Sequence, residues 1–127
     1  MKNTKTIIYW IATALMSFGM LGSGISQLMH VKAMDEMIIH LGFPLYLMTI
    51  LGVWKILGVL AILIPKFTLL KEWAYAGFFF LLSGALISHI VMGDEGKAIL
   101  GPLFQCVFVI TSWYCRPANR KINQQEN

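Results

Sequence analysis

The sequence predicts an all-α protein: a single-domain integral membrane four-helix bundle in up-down antiparallel order, with both termini cytoplasmic. Three observations carry that reading. The 127 residues are 57% hydrophobic and only 13% charged, with a mean hydropathy of +0.70, far from a soluble domain of this length. Four apolar windows, residues 7–29, 45–64, 73–92 and 99–115, reach the roughly 17 to 25 residues that a spanning helix needs. Finally, Lys2, Lys5, Lys66, Lys71, Arg116, Arg120 and Lys121 fall on one side of a four-span arrangement, and Lys32 and Lys97 on the other. Basic residues collect in cytoplasmic loops. The net charge of +4 is thus a topology signal whose natural partner is an anionic membrane lipid, and no nucleic-acid partner is implied.

The first window follows Lys2 and Lys5, as a secretory signal would. Its apolar run is longer than a signal's, and no A-x-A site follows, so it reads as a retained span. Small residues spaced four apart, Gly19 and Ser23 or Gly22 and Ser26, offer a face for close helix packing. In the connection from His30 to Pro44, Met34, Met37, Ile38 and Leu41 recur at i, i+3, i+4 and i+7. That pattern predicts a short amphipathic helix on the outer membrane surface, ended by Gly42 and followed by Pro44. The second window carries Gly52 and Gly58, and the third Gly77, Ser83, Gly84 and Ser88, again as packing positions. The fourth is the shortest, with Pro102 in its first turn. Trp73, Tyr75, Trp113 and Tyr114 sit at span ends, as interfacial aromatics do. The polar tail, residues 117–127, is expected to be disordered.

Lys55 is the first functional candidate, because no other charged side chain lies between Leu45 and Ile64. An ammonium at that depth costs a few kcal/mol, so it needs a partner. No carboxylate lies at its depth: Asp35, Glu36, Asp94 and Glu95 belong to the outer connections, Glu72 to the inner one and Glu126 to the tail. Lys55 therefore sheds its proton, snorkels or bonds helix carbonyls, or meets an anionic or carbonyl-bearing ligand. Ser23 and Gln27 share one helix face with Gly19 and His30, and Ser83 and Gln105 lie at comparable depth. Together these five residues, Lys55, Gln27, Ser23, Ser83 and Gln105, form a candidate binding site for a hydrophobic small molecule such as a quinone, a fatty acid or a sterol-like compound. His89, near the outer end of the third span and five residues before Asp94, is a candidate proton route.

Other chemistries find little footing. The three histidines show no H-x-x-H or E-x-x-H spacing, so no metal site is expected. Cys106 and Cys115 lie about 13 Å apart along one helix and there is no C-x-x-C, which disfavours a membrane thiol oxidoreductase. There is no Gly-rich phosphate loop, no G-x-S-x-G elbow and no dinucleotide fingerprint. No intrinsic cofactor is expected, and a cofactor such as a quinone would be membrane-borne or held by a partner. Two other classes stay open: a scaffold whose small-residue faces dock a membrane-protein partner or a second copy in a homo-oligomer, and a small transporter, which the lack of inverted repeats argues against.

The block Leu51-Gly-Val-Trp-Lys-Ile-Leu-Gly-Val-Leu-Ala-Ile-Leu-Ile-Pro65, followed by Leu70-Lys-Glu-Trp-Ala-Tyr-Ala-Gly-Phe-Phe-Phe80, resembles the DoxX-like family of four-helix bacterial membrane proteins. Gly22-Ser-Gly24, Leu41-Gly-Phe-Pro44, Ser88-His89, Gly93-Asp94 and Arg116-Pro117 extend the likeness from about Tyr9 to Pro117. The resemblance implies a multi-pass protein of the bacterial cytoplasmic membrane. The wider DoxX and DoxD group includes a subunit associated with thiosulfate:quinone oxidoreductase and proteins tied to membrane redox complexes. Many members of the group have no assigned activity, and the resemblance implies at most a non-catalytic or quinone-interacting membrane subunit of an oxidoreductase, in a redox- or stress-related process. Relatives often carry a basic residue near the end of the first span, where this chain has Gln27.

Overall fold

The apolar windows fold as helices, and the residues between them supply the breaks. The computed structural model describes residues 2–121, without the side chain of Lys2. Five α-helices follow one another: α1 (Lys2–Leu28), α2 (Lys32–His40), α3 (Leu47–Leu63), α4 (Thr68–Val91) and α5 (Gly96–Tyr114). One 3₁₀ turn, Ala118–Arg120, comes last. No strand occurs among the described residues. Three of the helices, α1, α4 and α5, are long and apolar enough to cross a membrane. The second expected span is shorter than its apolar window. α3 holds 17 residues, about 25 Å at helical rise, because Pro44 to Tyr46 form a turn and Ile64 turns extended before Pro65.

The breaks have local causes. α2 stops where Gly42 takes φ 89° and the Phe43 N–H bonds back to the Ile38 carbonyl at 3.1 Å, a left-handed helix ending that glycine adopts at little cost. Gly93, φ 70°, ends α4 in the same way, with Asp94 N–H on the His89 carbonyl at 3.0 Å. α5 begins three residues before the expected window, at Gly96, so Pro102 lies inside the helix and not in its first turn. There it has no N–H to give the carbonyl of Ala98.

α1 packs against α3 and α5, and α4 packs against the same two helices from the other side. His30 meets Thr49 and His40 meets Asp94, which puts the α1–α3 and α4–α5 connections at one end. At the other end Lys5 lies over the Tyr114 ring, Arg120 over Trp10, and Arg116 pairs with Glu72. Consecutive long helices therefore alternate in direction. A core of Met16, Met20, Val59, Ile62, Phe78 and Val109 fills the space between them. Large apolar side chains cover the outside, among them Phe18, 83% exposed, and Val91, 76% exposed, a surface that hydrocarbon satisfies and water does not.

Close approach is confined to particular glycines. A Cβ on Gly52 would sit 2.7 Å from the Gly24 carbonyl oxygen, so the backbones of α1 and α3 all but touch there. Gly58 lies under the Phe78 ring, whereas Gly22, Gly77 and Gly84, expected as packing positions, face open space.

The end that holds the termini is closed by a polar layer. Ser112 Oγ bonds both Thr13 Oγ1, at 2.6 Å, and Tyr75 OH, at 2.7 Å. Tyr75 is thus a buried tether between helices instead of an interfacial aromatic. Lys71, 1% exposed, donates to the carbonyls of Ala61 at 2.8 Å, Ile62 at 3.2 Å and Ile64. Arg120 donates to the carbonyls of Ile62, at 2.9 Å, and Leu63. A helix leaves its last carbonyls without partners and carries partial negative charge there, so both cations cap α3. This corrects the expectation of disorder for the start of the tail: Arg120 holds that segment on α3. Residues 122–127, the rest of the expected disorder, lie outside the described residues.

Candidate functional site

A cavity of about 760 Å³ opens between α1, α3, α4 and α5 toward the end that carries α2. α2 contributes Met34, Met37 and Ile38 to its walls, and Leu41, which caps its end, contributes a fourth side chain. These are the four residues of the apolar stripe, and they face the cavity instead of resting on a membrane surface. α3 brings Met48, Trp54 and Lys55, α4 brings Phe80, Leu81 and His89, and α5 brings Gln105. No carboxylate lines the cavity among the described residues.

The Gly24–Gly52 contact places Lys55 against α1. Lys55, 6% exposed, donates to Ser23 Oγ at 3.1 Å, and Ser23 Oγ in turn donates to the Met20 carbonyl at 3.3 Å. Gln27, four residues further along α1, is 4% exposed. Its Oε1 is buried without a hydrogen-bond partner, and so is Oε1 of Gln105. The Gln105 amide lies across Gly19, where a Cβ would collide with it. Of the five expected binding residues, Lys55, Ser23, Gln27 and Gln105 thus line one cavity.

Ser83 does not join them. Its hydroxyl turns back to the Phe80 carbonyl at 3.2 Å. The cavity stripe on α4 runs through Gly77, Leu81, Gly84, Ala85 and Ser88, and a residue at 83 is rotated off that face. His30, which shares the Ser23 and Gln27 stripe by spacing, leaves it because α1 ends at Leu28 and His30 takes φ 51°. Its ring bonds Asp35 and Thr49, both at 3.1 Å.

His89 lines the cavity and is 4% exposed. Its Nδ1 donates to Asp94 Oδ2 at 2.6 Å, and His40 Nε2 donates to the other oxygen, Oδ1, also at 2.6 Å. One carboxylate therefore ties the end of α2 to the end of α4 and joins a buried imidazole to a half-exposed one. No group of three or more His, Cys, Asp or Glu among the described residues could hold a metal ion. The hydrogen bonds from His89, then from His40, hold the Asp94 carboxyl below the usual carboxylate range. A lowered folded-state value stabilises the clasp above the ordinary carboxylate value of about 3.9 and loses that contribution as pH falls through the lower folded value. Trypsin cleavage at Lys32 or Lys97 should therefore stay slow in the wild type down to below about pH 4, as tested by incubating at each pH and assaying after return to neutrality. Asp94→Asn should be cut faster at every pH, and equal rates would remove the clasp from loop stability.

Three features of the structure escaped the sequence. Lys71 and Arg120 give only a charge signal, because the carbonyls they cap at the end of α3 are reached across a chain reversal by Lys71 and from the far end of the chain by Arg120. The His40–Asp94 bond joins α2 to the α4–α5 connection, and no spacing rule links them. The stripe on α2 was visible, but its target was not.

The sequence model of the DoxX-like family matches residues 11–112, an interval that contains every residue lining the cavity. No curated protein and no solved structure matches the chain.

Proposed function

The chain belongs to the DoxX-like family, and we propose that this membrane protein binds a hydrophobic small molecule, a quinone in the leading reading, within the cavity under α2. In this reading α1, α3, α4 and α5 all cross the bilayer as one domain. The end that carries Lys5, Lys66, Arg116, Arg120 and Lys121 faces the cytoplasm of a bacterial cell and meets anionic lipid there. α3, at about 25 Å, is short against a hydrocarbon core of about 30 Å, a mismatch that local thinning of the bilayer accommodates.

The observation that carries the reading is the setting of Lys55. It is buried, bonded to one serine hydroxyl, and open to a cavity that no carboxylate among the described residues lines. An amine left in such a place costs several kcal/mol, and a ligand oxygen offsets that cost. Ser23 orients the Lys55 nitrogen, the amides of Gln27 and Gln105 offer further hydrogen bonds, and the apolar walls take the ring and tail. His89 supplies a proton route. Its Nδ1 is committed to Asp94, which leaves the other ring nitrogen for proton exchange with the ligand, and Asp94 and His40 continue the path to the exposed side. The membrane-redox setting of the wider DoxX and DoxD group supports the same reading.

Purification in mild detergent, followed by organic extraction and mass spectrometry, measures quinone bound per chain. Lys55→Met, which keeps the stem and removes the nitrogen, should fold normally and lose about tenfold in bound quinone, the size of one charge-assisted hydrogen bond. Equal occupancy in both chains would remove Lys55 from the site. A stoichiometric membrane protein in place of any lipid would favour the docking reading.

A further inference from the structure

We infer that the cavity opens sideways into the bilayer between α3 and α4, and that its ligand is a membrane lipid whose hydrocarbon tail leaves through that portal while its oxygen-bearing head meets Lys55. The inference rests on the reading of the cavity as a quinone-type site and goes on to name the tail and its route. Gly58 on α3 lies against the Phe78 ring on α4, so these two helix faces look at each other. Leu47, Leu51, Trp54 and Gly58 fall at i, i+4, i+7 and i+11, one stripe of α3, and on α4 Leu81 and Ala85 continue the stripe of Phe78. Toward the α2 end both stripes line the cavity. The seam is closed at Phe78 and parted beyond it.

The cavity wall there reaches the outside of the bundle. Trp54 and Phe80 line the cavity although they are 61% and 70% exposed. Gly77 and Gly84, also exposed, line it as well, and a Cβ added to either would meet nothing within 4 Å. Other ways out are shut or covered. The α1–α3 seam closes where Gly52 meets the Gly24 carbonyl, and the Gln105 amide lies across Gly19 between α1 and α5. Over the end, α2 turns its apolar stripe to the cavity and is pinned on either side, by His30 on Thr49 at 3.1 Å and by His40 on Asp94 at 2.6 Å. Gly84 lies about 10 Å along α4 from its end at Val91, at hydrocarbon depth in a bilayer core about 30 Å thick. The portal therefore meets lipid tails and not water. A lipid can pass its head to Lys55, which gives one hydrogen to Ser23 and has further hydrogens for a ligand oxygen. Its chain stays in hydrocarbon throughout, whereas a route under α2 would draw every methylene through water.

The test places the full chain in lipid nanodiscs with decylubiquinone that carries a photoreactive diazirine halfway along its tail, and maps the labelled residues by mass spectrometry after irradiation. The expected label falls on α3 around Trp54 and on α4 between Gly77 and Gly84, and excess unmodified decylubiquinone removes it. Competed label confined to α2 or α5 overturns the inference and leaves the cavity a quinone-type site. Absence of any label that the competitor removes ends both the quinone reading and the inference. Titration calorimetry on variants gives a second measurement. Gly84→Phe, which projects a ring into the portal, should weaken decylubiquinone about tenfold, the size of a moderate overpacking, and leave the same quinone head without a tail unchanged. Gly22→Phe, away from the cavity and equally free of neighbours within 4 Å, should change neither. Equal Kd values for decylubiquinone in the two variants overturn the inference. The photolabelling needs no variant, so a substituted chain that fails to fold leaves the test intact.

Discussion

Gly52→Ala is expected to lower stability by about 2 kcal/mol and to remove ligand binding, although alanine is the better helix former. The added methyl would stand 2.7 Å from the Gly24 carbonyl oxygen and 2.7 Å from Leu28 Cγ. Leu28 can move, but the carbonyl belongs to the backbone of α1 and cannot rotate away. The two helices must separate, and overpacking of this kind costs about 1 to 3 kcal/mol, more than the gain of roughly 0.5 to 1 kcal/mol from replacing a helical glycine. Separation also draws Lys55, three residues along α3, away from Ser23. Gly22→Ala is the internal control. Nothing lies within 4 Å of its added Cβ, so it should be neutral or stabilise by up to about 1 kcal/mol. Thermal unfolding in detergent, followed by circular dichroism, compares the three chains. Equal behaviour of the two variants would show that the α1–α3 seam is looser than described.

Lys71→Met should cost about 2 to 3 kcal/mol, with no effect on the ligand's contacts. Lys71 is fully enclosed, and its nitrogen donates to three carbonyls at the end of α3. Methionine fills the space of the stem but leaves those carbonyls short of a donor where little water reaches them. Each buried acceptor left unpaired costs about 1 to 3 kcal/mol, and Arg120, which bonds the Ile62 and Leu63 carbonyls, can recover part of the loss. Arg120→Ala should cost less, about 1 kcal/mol, because its bonds are partly exposed. The combined change should exceed the sum of the two, since the cations share one helix end. A double-mutant cycle on unfolding free energies measures that excess, and strict additivity would mean that the two side chains act separately.

The candidate site was legible in proportion to how local its geometry is. Ser23 and Gln27 share a face of α1 because they are four residues apart, and Lys55 stood out because an apolar run surrounds it. Only depth points to Ser83. Depth follows from counting residues, but the rotation of α4 about its own axis does not, and that rotation turned Ser88 and His89 inward and Ser83 aside. Pro102 reads as a first-turn proline because hydropathy begins at Ile99, whereas the helix begins at Gly96. The stripe on α2 identified an amphipathic helix correctly, yet an apolar stripe is satisfied as well by a protein cavity as by a membrane surface.

By itself the sequence determined that the protein is helical and of membrane type, which family it belongs to, and that a lysine sits inside an apolar helix. Composition, run length and periodicity are properties of the chain alone, and they suffice for those conclusions. Only the tertiary structure decided that Gly24 and Gly52 bring α1 and α3 into backbone contact, that two amide oxygens stay unpaired at one cavity, and that Asp94 joins two histidines. Each depends on how helices far apart in the chain rotate and approach, as Thr13 and Ser112 do across 99 residues, and that is set by side-chain volume and hydrogen-bond pairing in three dimensions, which no local pattern records.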